Sequence, residues 1–355
     1  MNDVGSHAPR ASSRLYVDPV DEIWLATARK LGLRVRRSDA AYASYDGRGE
    51  LTIATSEHFD ADDSLAQIVL HELCHALVSG KDALQSVDWG LSNTDEHDLV
   101  REHACHRLQA ALSNRYGLRG LFAVTTDHRP YWDALPEDPL APGDDLAIEL
   151  AREAWQRARG GAIGEAVHSA LAATAKVADA VRPFSGERSL WGDTVALHAS
   201  GFPLGRDESK RCENCAWMFS AGPGRAVTRC RQTRKGAGSI ARRVAPADRA
   251  CERFEPKLSI DGCGSCGACC REGFDLVPVR PRDAIRKRHP ELVRESRHGA
   301  FLPRPEGHCV ALDGDGDAAT PYRCRVYGNR PSACVEFEVG GDACLLARRR
   351  VGLSR

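Results

Sequence analysis

Residues 63–80 read Asp63-Ser64-Leu65-Ala66-Gln67-Ile68-Val69-Leu70-His71-Glu72-Leu73-Cys74-His75-Ala76-Leu77-Val78-Ser79-Gly80, and this stretch decides the architecture of the first half of the chain. Leu65, Ile68, Val69, Glu72, Leu73 and Leu77 recur with a period near 3.6, so the spacing predicts an amphipathic helix. Asp63 or Ser64 can cap its first amides with a side-chain oxygen, and Gly80 supplies the stop. At its centre His71-Glu72-Leu73-Cys74-His75 is an HExxH pattern. Residues i and i+4 share a helical face, so both imidazoles can meet one Zn²⁺. Glu72 then stands beside the metal as general base for a zinc-bound water. Cys74 turns away from that face and reads as a small buried hydrophobe.

Working outward, residues 1–14 read as a disordered leader of small and polar residues. From Val20 to Leu31, Ile23, Trp24, Ala28 and Leu31 fall at helical spacing. Leu33 to Val35 and Leu51 to Ile53 read as short strands, the second after the turn signal Asp46-Gly47. A second long helix is expected from Thr94, as cap, to about Arg115, with Gly117 just beyond. Its segment 95–112 offers Glu96, His97, Glu102, His103 and His106 as a third metal ligand, and Glu102 and His106 share a face. Cys105 reads like Cys74. Asp127, His128 and Tyr131 could line a substrate cleft.

The proline-rich run Pro136 to Pro142 marks an expected boundary. Residues 144–181 are alanine-rich and read as an αα-hairpin interrupted at Gly160-Gly161; residues 182–208 read as linker. Two cysteine modules follow. The expected domains are therefore 15–135, a helical hairpin and linker at 136–208, a four-cysteine module at 209–257 and a larger one at 259–355.

The 355 residues carry 49 Lys+Arg and 49 Asp+Glu, a balance that advertises neither a nucleic-acid nor a membrane partner. That balance conceals halves of opposite sign: residues 1–200 hold 20 basic and 30 acidic side chains, residues 201–355 hold 29 and 19. Of the 14 cysteines only Cys74 and Cys105 precede position 200. With no signal-peptide-like apolar core and no apolar run of membrane-spanning length, a cytoplasmic, reducing setting is expected. There clustered thiols bind metal more often than they pair.

The HExxH region resembles the compact domains of the ImmA/IrrE and SprT-like groups, over about residues 20–115. The resemblance rests on His71, Glu72 and His75, in the sequence HELCHA after a short sheet. It implies an α+β, mainly helical, zincin-like domain holding Zn²⁺, with a glutamate from the following helix as third ligand in the gluzincin manner. Glu102 takes that role, with His106, His97 and His103 behind it. A protein or peptide substrate follows from the same resemblance.

In residues 209–257 the order is Cys212-x-x-Cys215, Cys230 and Cys251. A CxxC pair presents two thiolates to one metal, and two later cysteines complete tetrahedral sulfur coordination, for Zn²⁺ or a small iron–sulfur site. Residues 263–270 read CGSCGACC, giving Cys263, Cys266, Cys269 and Cys270. Cys309, Cys324, Cys334 and Cys344 follow, within HCVAL and CRVYGNRPSACVEF and beyond. These elements resemble the YkgJ-like CxxCxxCC family, which implies a zinc- or iron-chelating module over about residues 259–353. Flagellin lysine methylases carry a domain of that family too, but no glycine-rich cofactor fingerprint supports a transferase here.

Eight thiolates suit two tetrahedral sites, or one cubane cluster with further ligands. Arg271, Arg280, Arg282, Arg323, Arg325 and Arg330 could offset their charge. The expected function is a zinc-dependent hydrolase fused to a sensing, docking or structural cysteine cluster. The alternative is a non-catalytic or redox metal protein in which the HExxH half is auxiliary. Basic residues dispersed without aromatic interleaving argue against a nucleic-acid partner.

Overall fold

The computed structural model describes residues 14, 16–91, 98–125, 127–222, 224, 227–234 and 238–355. The expected leader 1–14 (apart from Arg14), the cap Thr94 and the candidate ligands Glu96 and His97 lie outside them. The class is α+β, as expected: helices with small separate sheets. The chain divides into two compact units, Met1–Ala196 and Leu197–Arg355.

In the first unit helix α1 spans Pro19–Lys30, with Pro19 at its first position and the Asp18 carboxylate accepting from the Val20 amide at 2.8 Å. A three-stranded sheet follows, of β1 (Arg34–Arg37), β2 (Ala43–Tyr45) and β3 (Glu50–Ile53), in the order β1-β3-β2. β3 pairs parallel to β1 and antiparallel to β2. Leu51 and Ile53 are fully buried, which is why this strand was readable, whereas β2 has one large apolar residue and was not foreseen.

Helix α2 runs Leu65–Ser79. Ser64 caps it in a reciprocal box with Gln67, and Gly80 ends it at φ 86°. Helix α3 runs Leu99–Asn114, and a short helix α4 covers Arg129–Asp133. Buried Arg107 of α3 ties the segment beyond α4 in place, reaching the Pro139 carbonyl at 2.6 Å and the Asp145 carboxylate at 2.8 Å.

Helices α5 (Ala147–Ala158) and α6 (Gly161–Val181) form the foreseen hairpin. They do not stand apart as the 136–208 reading implied. Ala147, Ala151, Ala154 and Ala158, with Val167, Ala170, Leu171 and Ala178, are buried in the core that holds α1, the sheet, α2 and α3. Alanine faces let helices approach closely, and Trp24 of α1 donates to Thr174 of α6 at 3.1 Å. The supposed linker divides as well: Val195 bonds back to Gly117 at 2.7 Å, while Leu204 bridges to Cys251 in the second unit.

The second unit is built from short pieces. Strands β4 (Met218–Ala221) and β5 (Val227–Cys230) form a hairpin. Helix α7 (Cys263–Cys266) precedes β6 (Val277–Val279), α8 (Ile285–Arg288), β7 (Arg294–Ser296) and β8 (Gly299–Leu302). These strands pair antiparallel in the order β6-β8-β7. A two-stranded ribbon of β9 (Leu312–Asp313) and β10 (Arg323–Cys324) comes next, then α9 (Ser332–Val335) and α10 (Asp342–Arg350). Leu345 of α10 is buried with Cys212, Cys215 and Trp217, so the two cysteine modules share one unit.

Candidate metal centres

Helices α2 and α3 pack together and bring four of the foreseen side chains to one point. The His71 and His75 Nε2 atoms are 2.9 Å apart. Glu102 places one carboxylate oxygen 3.1 Å from His71 Nε2 and the other 3.4 Å from His75 Nε2. His106 Nε2 lies 3.1 Å from the first of these oxygens. His71, Glu102 and His106 offer donor atoms that all lie within 4.8 Å of one another. Glu102 and His106 thus enter together, not as alternatives. His103 does not: its ring stacks on Tyr131 with centroids 3.6 Å apart.

The surrounding bonds decide which nitrogens are free. Gln109 donates its amide to the Phe122 carbonyl at 2.8 Å, so its oxygen faces His71 Nδ1 at 2.9 Å. His71 therefore donates Nδ1–H to Gln109, which turns its Nε2 toward Glu102 and His75, the kind of outer support that fixes the ring of a metal-binding histidine. His75 Nδ1 lies 3.1 Å from Cys105 Sγ. Cys105 is thus buried as foreseen, but it touches a candidate ligand. His106 Nδ1 is buried and finds no partner among the described residues.

Electrostatically the four groups perturb one another strongly. Burial pushes His71 down, but the Glu102 carboxylate overcomes this and raises it to about 9. Burial, then the His71 charge, lowers His75 to about 3, and burial lowers His106 to about 4 despite its bond to Glu102. Burial alone would raise Glu102, yet the attraction of His71 and the His106 bond hold it well below the carboxylate range. One divalent ion would satisfy all four groups.

Glu72 follows His71 on α2 and is only 6% exposed. The Trp89 indole N–H donates to its carboxylate at 2.6 Å. Trp89 stacks on Tyr45 at 3.9 Å, and neighbouring Asp88 accepts from the Tyr45 amide and the Ser44 hydroxyl, each at 2.9 Å. Asp88 and Trp89 both hold left-handed φ, 45° and 59°, a strained pair for non-glycine residues. Burial raises the Glu72 pKa above the usual carboxylate value. The His128 ring lies 4.9 Å from that of His106, at the edge of the site. Tyr131 instead donates to Asp145 at 2.8 Å and accepts from Arg107 at 2.6 Å.

In the second unit all twelve later cysteines are unpaired, as are Cys74 and Cys105. Cys212, Cys215, Cys230 and Cys251 are buried and line one cavity. The eight remaining thiols gather in two sets. Cys270, Cys309, Cys324 and Cys334 sit in one apolar cluster with Val277, Ile285 and Leu302. Cys266, Cys269 and Cys344 lie close enough to Cys263 to oppose its ionisation.

The adjacent Cys269 and Cys270 sulfurs are 3.9 Å apart at the junction of the sets. Their mutual bond draws Cys269 down to about 7 and pushes Cys270 up. Gly267 makes this turn possible: at φ 58° a side chain would also run into the Tyr322 ring at 2.5 Å. Burial raises Cys212 to about 12, and Cys230 and Cys334 to about 11, so ionising these thiols calls for a neighbouring cation.

Burial pushes Cys324 and Cys334 up; of the arginines foreseen as charge partners, Arg330 and Arg325 act to lower Cys324, and Arg330 also Cys334, while Arg280 instead pairs with Glu336. Arg348, unforeseen, meets a sulfur, with its guanidinium 3.2 Å from Cys266 Sγ.

No curated protein and no solved structure matches the chain. A family model does match residues 262–347, the span that holds all eight of these cysteines. That model is CxxCxxCC, described as a "putative zinc- or iron-chelating domain", and the match supports a metal-binding cysteine cluster in the C-terminal part of the chain.

Proposed function

We propose that the chain is a zinc-dependent hydrolase of the peptidase type, joined to a CxxCxxCC domain that holds metal in two separate thiolate sets. The observation that carries the hydrolase reading is the convergence of His71 Nε2, His75 Nε2 and the Glu102 carboxylate, with Glu72 adjacent on the same helix. When bound there, a zinc ion supplies Lewis acidity to a substrate carbonyl and to water.

Trp89 fixes one oxygen of Glu72 and leaves the other to take a proton from the attacking water. As the water oxygen bonds to the carbonyl carbon and the C–N bond breaks, Glu72 passes that proton to the departing amine. Its raised pKa suits a group that must both accept and return a proton. His128, at the rim, is placed to orient a polar substrate group. The free thiols of the second unit fit a reducing compartment such as the cytoplasm.

Replacement Glu72→Gln is expected to keep the metal and abolish turnover of a peptide substrate, whereas Glu102→Ala loses the metal. Unchanged turnover in Glu72→Gln overturns the catalytic reading.

A second reading rests on His106. Four protein donors would close a tetrahedral zinc site, and a closed site is structural. Replacement His106→Ala separates the two: the hydrolase keeps metal and turnover, while a closed site loses its ion.

A further inference from the structure

His198 belongs to no foreseen module, yet it is buried against the four-cysteine cavity. Its Nε2 lies 3.2 Å from Cys212 Sγ and 3.8 Å from the Asp248 carboxylate. Its other nitrogen settles the tautomer. The Ser200 backbone amide, which can only donate, reaches His198 Nδ1 at 3.0 Å, and the Ser200 hydroxyl sits 2.7 Å away. Nδ1 is therefore an acceptor and the ring proton is on Nε2, pointing at sulfur. A histidine in this state cannot give its Nε2 lone pair to a metal; it can donate an N–H bond to a thiolate.

Backbone amides also bear on two of the other sulfurs. Burial raises both thiols, but the backbone amides of Glu255 and Trp217 act to lower Cys215, and those of Gln232 and Thr233 to lower Cys230. Amides two and three residues beyond a cysteine are what a metal-binding knuckle presents to its sulfur, and they stabilise negative charge there. The cavity that the four thiols line together with His198 and Trp217 is small, about 10 Å³, on the scale of a single small occupant. Arg253 is also among its lining residues, and residues 197–257 carry 13 Lys+Arg against 6 Asp+Glu, an excess of positive charge that suits a tetrathiolate site.

We propose that Cys212, Cys215, Cys230 and Cys251 hold one mononuclear zinc ion, separate from the CxxCxxCC domain, and that His198 supports it from outside by donating Nε2–H to the Cys212 thiolate. His198 is thus a positioning residue, not a ligand. The reading is independent of the hydrolase proposal, since it involves none of the same side chains.

The full chain tests it, by metal analysis and native mass spectrometry after expression with zinc. Cys215→Ser and Cys251→Ser should each lose the same single zinc equivalent, and adding His71→Ala should remove a further one. Cys251→His guards against simple misfolding: it should keep the ion and, with Co²⁺ in place of zinc, change the visible spectrum from four-sulfur to three-sulfur-one-nitrogen.

His198→Gln should keep the zinc and the four-sulfur Co²⁺ spectrum, but release the ion to a chelator several-fold faster. Three results would overturn the proposal: undiminished zinc in both serine variants, iron with acid-labile sulfide bound at these cysteines, or a Co²⁺ spectrum in wild type that loses a nitrogen ligand in His198→Gln.

Discussion

The two units present their candidate metal-binding groups in opposite ways. In the first, the donors are imidazoles and a carboxylate on α2 and α3, two long helices inside a single large core that includes Trp24, Leu70, Leu73, Leu108 and Phe122. The scaffold exists for its own apolar reasons, and the site is a local interruption of it. In the second, the apolar clusters are small, and thiols are themselves among their members. There the groups that would bind metal are also the groups that would otherwise form the core. Where burial is ample, metal binding is an addition to folding; where it is thin, metal binding is part of folding.

Removing metal should give the largest effect and the sharpest break between the units. With a strong chelator, backbone amides of the second unit are expected to lose hydrogen-exchange protection while α1, α2 and α6 keep theirs. Equal loss in both units would end the contrast.

Next in size, Leu70→Ala should lower the stability of the first unit by about 3 kcal/mol, as expected for truncating a fully buried leucine. Denaturant melts would measure it, and zinc content of the second unit should not change. Smaller still, Trp89→Phe removes the donor to Glu72 and should lower turnover about tenfold, the scale of one hydrogen bond to a charged group, with KM little altered. Least of all, Arg280→Ala should leave the melting temperature where it was, because the Arg280–Glu336 pair lies in solvent.

The same contrast explains what could be read from the chain. Helix α2 was legible because its capping serine, apolar period and terminal glycine all agree, and His71, Glu72 and His75 come with a fixed spacing. Glu102 and His106 were both visible, yet only packing shows that they converge, since helical periodicity says nothing of the distance between two helices.

The alanine faces of α5 and α6 were misjudged as a separate hairpin because small residues signal burial weakly. His198 was invisible for another reason. Its meaning lies in Ser200 on one nitrogen and Cys212 on the other, a relation made by a turn and not by a motif. Arg348 was missed similarly, as its sulfur partner lies 82 positions earlier.

The adjacent Cys269 and Cys270 carry a further consequence. On the proposed division their sulfurs serve different metal sets, so the peptide between them is common property. Ordering that peptide for one ion also orders it for the other, and the entropy of fixing it is lost once instead of twice. Loading of the C-terminal domain should then be positively cooperative, the first ion raising the affinity for the second by about tenfold.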